Sequence, residues 1–157
     1  MVKNIIFLDI DEVICTFHSR FAYGNMNALD PSCCMILLRL CEKTNSKIVV
    51  HSSWRRLSNG MDIFRDQLEA TCPRLTDFVI GCTDPKIYDR VDSIAYWLDM
   101  NMDSEQVLDY AIIDDLSLNF YEHEELAAHF HQIQNPYVGI DLYEYMDIER
   151  QLNGADN

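Results

Sequence analysis

Four aspartates stand in this chain as two close pairs, Asp9 with Asp11 and Asp114 with Asp115, and each pair follows an apolar run, IIFL before the first and YAII before the second. A third run, KIVVHS at residues 47 to 52, ends in Ser52 and is followed by Ser53. A single Asp at such a place reads as a turn or helix cap. Three apolar runs that all end in carboxylates or hydroxyls read as a site, provided the fold brings their ends together. Clustered carboxylates repel unless a cation sits among them, and a set of hard oxygen ligands suits Mg²⁺.

The elements that must do this positioning alternate along the chain. Residues 2 to 10 (VKNIIFLDI) read as a buried strand. Asp30 and Pro31 open a helix that runs to about Thr44, with Asp30 as N-cap and Ile36, Leu37 and Leu40 on one stripe. Residues 47 to 52 form a second buried strand. A helix over 60 to 70, a short strand over 78 to 80 and a helix from Tyr88 to Met100 follow. Residues 107 to 113 (VLDYAII) are the third clear strand; a helix near 122 to 130, an apolar stretch around Ile133 and a last helix over 142 to 152 complete the pattern. Strands alternating with helices predict an α/β fold, a doubly wound, Rossmann-like parallel sheet. In such a sheet ligands collect beyond the carboxyl ends of the strands, where the aspartates and serines lie.

Composition narrows the function classes. With 157 residues, 48% hydrophobic and 24% charged, the chain fits one domain over residues 1–157. No apolar run is long enough to span a bilayer, and MVKNIIFLDIDE lacks a signal-peptide shape, so a cytoplasmic protein without membrane contact is expected. The net charge of -14 disfavours broad, non-specific binding to nucleic acid. The acid is uneven: residues 91 to 157 carry 15 acidic residues and Arg150 as their one Lys or Arg, so an anionic substrate should meet the N-terminal part. The six cysteines include no CxxC pair and read as reduced, mostly buried thiols.

Other chemistries fail on their residues. In YEHEELAAHFH, Ala127 stands where a zinc-protease helix needs His, and His129 and His131 alternate as on a strand, reading as turn or surface residues. There is no Gly-rich phosphate loop and no GxSxG serine.

IIFLDIDEVI at 5 to 14 resembles the first motif of the haloacid dehalogenase (HAD) superfamily, KIVVHS its second and AIIDD at 111 to 115 its fourth. HSSWR at 51 to 55, RVDSIAYWL at 90 to 98 and PYVGI at 136 to 140 are similar to a small capless subgroup, which includes the HAD domain of Swiss Army Knife RNA repair proteins and phage and bacterial relatives. The resemblance implies a phosphohydrolase that works through an aspartyl-phosphate. Asp9 would be the nucleophile and Asp11 the general acid and base, with its backbone carbonyl on the metal. Ser52, with Ser53 as the alternative, would hydrogen-bond the phosphoryl oxygens. Asp115 would be the primary Mg²⁺ ligand beside Asp9 and Asp11, with Asp114 in support. The third motif is a single base, for which Arg90 is preferred to Lys86. Two departures stand out: Glu12 where many relatives have Gly, and Asn119 where many have another Asp.

A site without a cap leaves substrate choice to its surroundings. Between Asp11 and Ser52 there is room for a flap over residues 15 to 29 and one helix. Arg55 and Arg56 are candidates to bind a second phosphate or a base, and Arg20, Phe17, Phe21 and Tyr23 offer cationic and stacking surfaces in the flap. Trp54 reads as core. The expected substrate is a phosphorylated small molecule, above all a nucleotide, or a polynucleotide terminal phosphate; an open site also suits cover by a second copy of the chain. The alternative is a catalytically weak interaction module whose acidic surface meets a basic partner. Retention of both Asp9 and Asp11 favours the enzyme.

Overall fold

In the computed structural model, which describes residues 1–154, five parallel strands form one sheet: β1 (Lys3–Leu8), β2 (Ser46–Val50), β3 (Val79–Cys82), β4 (Val107–Asp114) and β5 (Phe130–Gln132), in the order β3-β2-β1-β4-β5. Seven helices connect and flank them: α1 (Phe17–Tyr23), α2 (Pro31–Thr44), α3 (Gly60–Thr71), α4 (Pro73–Thr76), α5 (Arg90–Asn101), α6 (Glu124–Ala127) and α7 (Leu142–Leu152). β1 is central, with β2 and β4 on its two sides, so the chain reverses its direction of winding there. That switch point is where an α/β sheet opens a crevice at its carboxyl edge.

Strand alternation sorts the core into two layers. Ile6, Leu8, Ile48, Val50, Ala111 and Ile113 face α2, α3, α4 and α7, a layer that also buries Cys15, Cys33, Cys34, Cys41 and Cys72. Ile5, Phe7, Val49, Tyr110 and Ile112 face α5 and α6 through Val91, Ile94, Leu98 and Leu126. The sheet is covered on both sides, which is why its strands read as continuous apolar runs rather than alternating ones. No helix among the described residues is long and apolar enough to cross a membrane.

The helix boundaries follow local chemistry. Asp30 caps α2 by accepting from the Ser32 amide, with Pro31 in the first turn, as its sequence predicts. Asp141 and Glu144 close a capping box on α7. Two expectations need correction. The second strand stops at Val50, not at Ser52: His51 N still donates to Leu8 O at 3.0 Å, but Ser52 already caps a 3-10 turn over Ser53–Arg56. The helix expected near 122 to 130 is a single turn, α6, after which the chain becomes β5. The edge of β4 draws it in, since Ile112 N donates to His129 O at 2.9 Å and Phe130 stacks on Phe120 with centroids 4.5 Å apart. His131 therefore lies on a strand and His129 immediately before it.

Candidate active site

Three strand ends meet at one rim. Asp9 follows β1, with its amide donating to Ile113 O at 3.0 Å; Asp114 closes β4 and Asp115 follows it; His51 and Ser52 follow β2. Carboxylate oxygens of Asp9, Asp114 and Asp115 lie within 4.8 Å of one another. Asp9 and Asp114 are fully buried and Asp115 is half-buried.

Arg90, the first residue of α5, enters this cluster. Its Nη1 lies 3.2 Å from Asp9 Oδ2 and donates to Asp114 Oδ2 at 2.8 Å. Lys86, the other candidate base, is exposed on the preceding loop, where its backbone amide bonds Asp84. His51, which the sequence did not single out, is wholly buried, and its Nε2 lies 2.9 Å from Asp114 Oδ2. Burial lowers the His51 pKa, so the ring is neutral at pH 7 and Nε2–H is the donor to a carboxylate that can only accept. Asp114 Oδ1 accepts the Leu116 amide at 2.9 Å. Burial alone would raise the Asp114 carboxyl, but the His51 hydrogen bond and the Arg90 charge hold it well below the usual range.

The other two carboxylates are short of donors. Burial and the Asp114 charge push Asp9 up, against Arg90, and push Asp115 up to about 6. Asp9 Oδ1 is buried and meets no hydrogen-bond partner among the described residues. An orphaned buried oxygen beside two further carboxylates is the donor set that a hard divalent cation completes.

Asp11 stands apart from this cluster, in a tight turn where Glu12 N donates to Cys15 O. Its Oδ1 accepts from Arg20 Nη2 at 2.7 Å and from Trp54 Nε1 at 3.1 Å. Arg20 also bonds Glu12 and, through Nε, Met26 O. Its guanidinium thus joins the flap to the turn rather than facing solvent. Glu12 has φ +60°, the left-handed backbone that suits glycine, so the Gly of many relatives is what this turn geometry prefers. Trp54 is 6% exposed and packs edge-on against Phe64, as core, while its indole N–H serves Asp11.

The remaining candidates are distributed around the rim. Ser52 is buried, and its Oγ accepts the Trp54 amide at 3.3 Å, whereas Ser53 is exposed. Arg55 is buried and donates to His51 O, Ser52 O and Ile87 O, tying the ends of the β2 and β3 loops together. Arg56 is exposed and its guanidinium lies 4.0 Å over the Tyr88 ring. In the flap, Phe17 packs against Tyr137 at 5.1 Å, while Phe21 and Tyr23 project to solvent. Asn119 is half-buried and leads into a short 3-10 turn over Phe120–Glu122.

A parallel sheet in the order 3-2-1-4-5, acidic at the ends of β1 and β4 and followed at β1 by a short helical flap, is a HAD-like domain of Rossmann type, with no cap among the described residues. Within that class, the HAD domain in Swiss Army Knife RNA repair proteins matches residues 5–143, and the chain belongs to this family. No curated protein and no solved structure matches it.

Proposed function

We propose that the chain is a Mg²⁺-dependent phosphomonoesterase that acts through an aspartyl-phosphate on a nucleotide or on the terminal phosphate of a polynucleotide. The observation that carries this reading is Asp9 itself: a buried carboxylate at the end of the central strand, one oxygen held by Arg90 and the other without a partner. A carboxylate so placed can keep one oxygen on a cation and turn the other to phosphorus. Asp9, Asp115 and the backbone carbonyl of Asp11 would hold Mg²⁺, which offsets the repulsion between a carboxylate and phosphoryl oxygens.

The chain's own residues divide the remaining work. Arg90 steadies the nucleophile and presents positive charge to the phosphoryl oxygens, and Asp114 aims Arg90 by holding the same Nη1. Ser52, or Ser53 as the alternative, just beyond the neighbouring strand, would supply the hydroxyl donor. Asp11 would protonate the leaving oxygen and then take a proton from the attacking water; Arg20 and Trp54 both bond Oδ1, which leaves Oδ2 for that transfer. Family membership supports a polynucleotide end as substrate, since the matched domains belong to RNA repair proteins.

The test is phosphate release by Asp9→Asn, which keeps the shape of the side chain and removes its ability to attack. Release should fall to background in a folded variant, and near-normal turnover would exclude the covalent route. Beryllium fluoride with Mg²⁺ should raise the melting temperature of the wild type and not of this variant.

A further inference from the structure

A cavity of about 220 Å³ opens beside the carboxylate cluster, lined by Arg55, Arg56 and Arg90 together with Ser53, Tyr88, Asp89 and Leu118. Resting on the phosphatase reading above, we propose that this cavity receives the base of a nucleoside phosphate and grips it by stacking, independently of base identity. Its size falls below the roughly 300–1,000 Å³ of sites for drug-sized ligands, so it suits one planar ring system.

The walls fit that occupant better than a second phosphate. Arg55 donates to three backbone carbonyls through Nη1 and Nη2, its Nε having no partner among the described residues, and the Arg56 guanidinium carbon stands 4.0 Å from the centre of the Tyr88 ring, a preformed π-cation surface. Asp89, which caps α5, adds negative charge to the lining. Opposite in chemistry is Leu118, half-exposed and held at φ +44°, a costly backbone for a residue that is neither Gly nor Asn. Both walls are anchored to the reactive centre: Tyr88 stands two residues before Arg90, and Leu118 three residues after Asp115. A ring in the cavity that they line together with Arg90 is therefore held close to that guanidinium. Stacking uses the π-face that every base has, so the subsite tolerates any terminal base that is unpaired or splayed from a duplex.

The test compares kcat/KM for a nucleoside monophosphate and for ribose 5-phosphate, which keeps the ester and the sugar but has no base. The wild type should favour the nucleotide by on the order of tenfold or more. Tyr88→Ala should collapse that ratio towards one, chiefly through KM, and Tyr88→Phe should restore it; Leu118→Gly should reduce it. Equal wild-type rates on the two substrates, or an unchanged ratio in Tyr88→Ala, would overturn the subsite. Calorimetric binding of the same two ligands to Asp9→Asn separates the outcomes. Base-selective binding with no phosphate release by the wild type refutes the phosphatase reading alone, and release without base preference refutes the subsite alone.

Discussion

Asp114 is the most committed carboxylate of the cluster, with His51 and Arg90 on one oxygen and the Leu116 amide on the other, while Asp115 next to it accepts the Gln132 side-chain amide through its backbone oxygen. On the proposed reading, adjacent residues at the end of one strand take opposite tasks: one orients, the other stays open to a cation. We expect His51→Phe, which keeps a buried ring but removes the donor, to lower kcat at least about tenfold, a loss equivalent to roughly 1.4 kcal/mol, while leaving the Mg²⁺-induced rise in melting temperature in place. Steady-state kinetics paired with thermal melts in Mg²⁺ and in EDTA would check it. Loss of the Mg²⁺ response would make His51 part of the ion's site. The aspartate pairs were legible in the sequence because each follows an apolar run and like charges there demand an explanation. His51 was not, because a histidine at a strand end has no pattern of its own and its partner is 63 residues away. Trp54 was legible as core, but not as the donor to Asp11, 43 residues before it.

The elements that hold these groups depend on one tight contact. Gly60 opens α3 directly against Trp54, and a Cβ there would lie 1.8 Å from the Trp54 carbonyl oxygen, so the helix and the 3-10 turn cannot stay in place with any larger residue. Gly60→Ala should cost about 1–3 kcal/mol of stability through overpacking, and because Trp54 would shift from Asp11, kcat should fall as well. Chemical denaturation and kinetics on the same variant would show both. A drop in stability with unchanged kcat would mean that the indole is dispensable. Most elements were legible from apolar runs and caps; β5 was not, because HFHQI carries only three ladder residues and is recruited by the free edge of β4. The end of β2 was misjudged by two residues because Ser52 suits a strand end and a helix cap alike, and the cap prevailed.

Over the whole molecule, charge sets the response to pH and salt. A carboxyl whose folded pKa exceeds its unfolded value contributes stability that is full below the unfolded value and is lost as pH rises through the folded one. Asp115, moved by burial and the Asp114 charge from 3.8 to about 6, places that window between about pH 4 and 6. In EDTA at pH 7, Asp115→Asn should therefore be more stable than the wild type by about 1–2 kcal/mol, after allowance for the screening of a half-buried group. The gap should close below pH 4, and Mg²⁺ should raise the wild type's melting temperature more than the variant's. Equal pH profiles would remove Asp115 from the charge balance. Activity should depend only weakly on salt: at about 0.15 M the Debye length is roughly 8 Å, so the surface behind a net charge of -14 is largely screened from a substrate phosphate that, on the proposed reading, meets Arg90 directly.

The cysteines occupy one layer. Five of the six are buried among the residues that face α2, α3, α4 and α7, whereas the layer beneath α5 and α6 contains none, and Cys82 is half-buried at the end of β3. Burial raises the thiols of Cys15 to about 11 and of Cys33 to about 12, so neither forms appreciable thiolate at neutral pH while the layer stays closed. Alkylation of the native protein should accordingly proceed in two phases, with Cys82 first and the other five later, at a pace set by opening of their own side of the sheet. The chain thus carries a native one-sided clock for local unfolding, able to time the separation of one face from the sheet while remaining blind to the other.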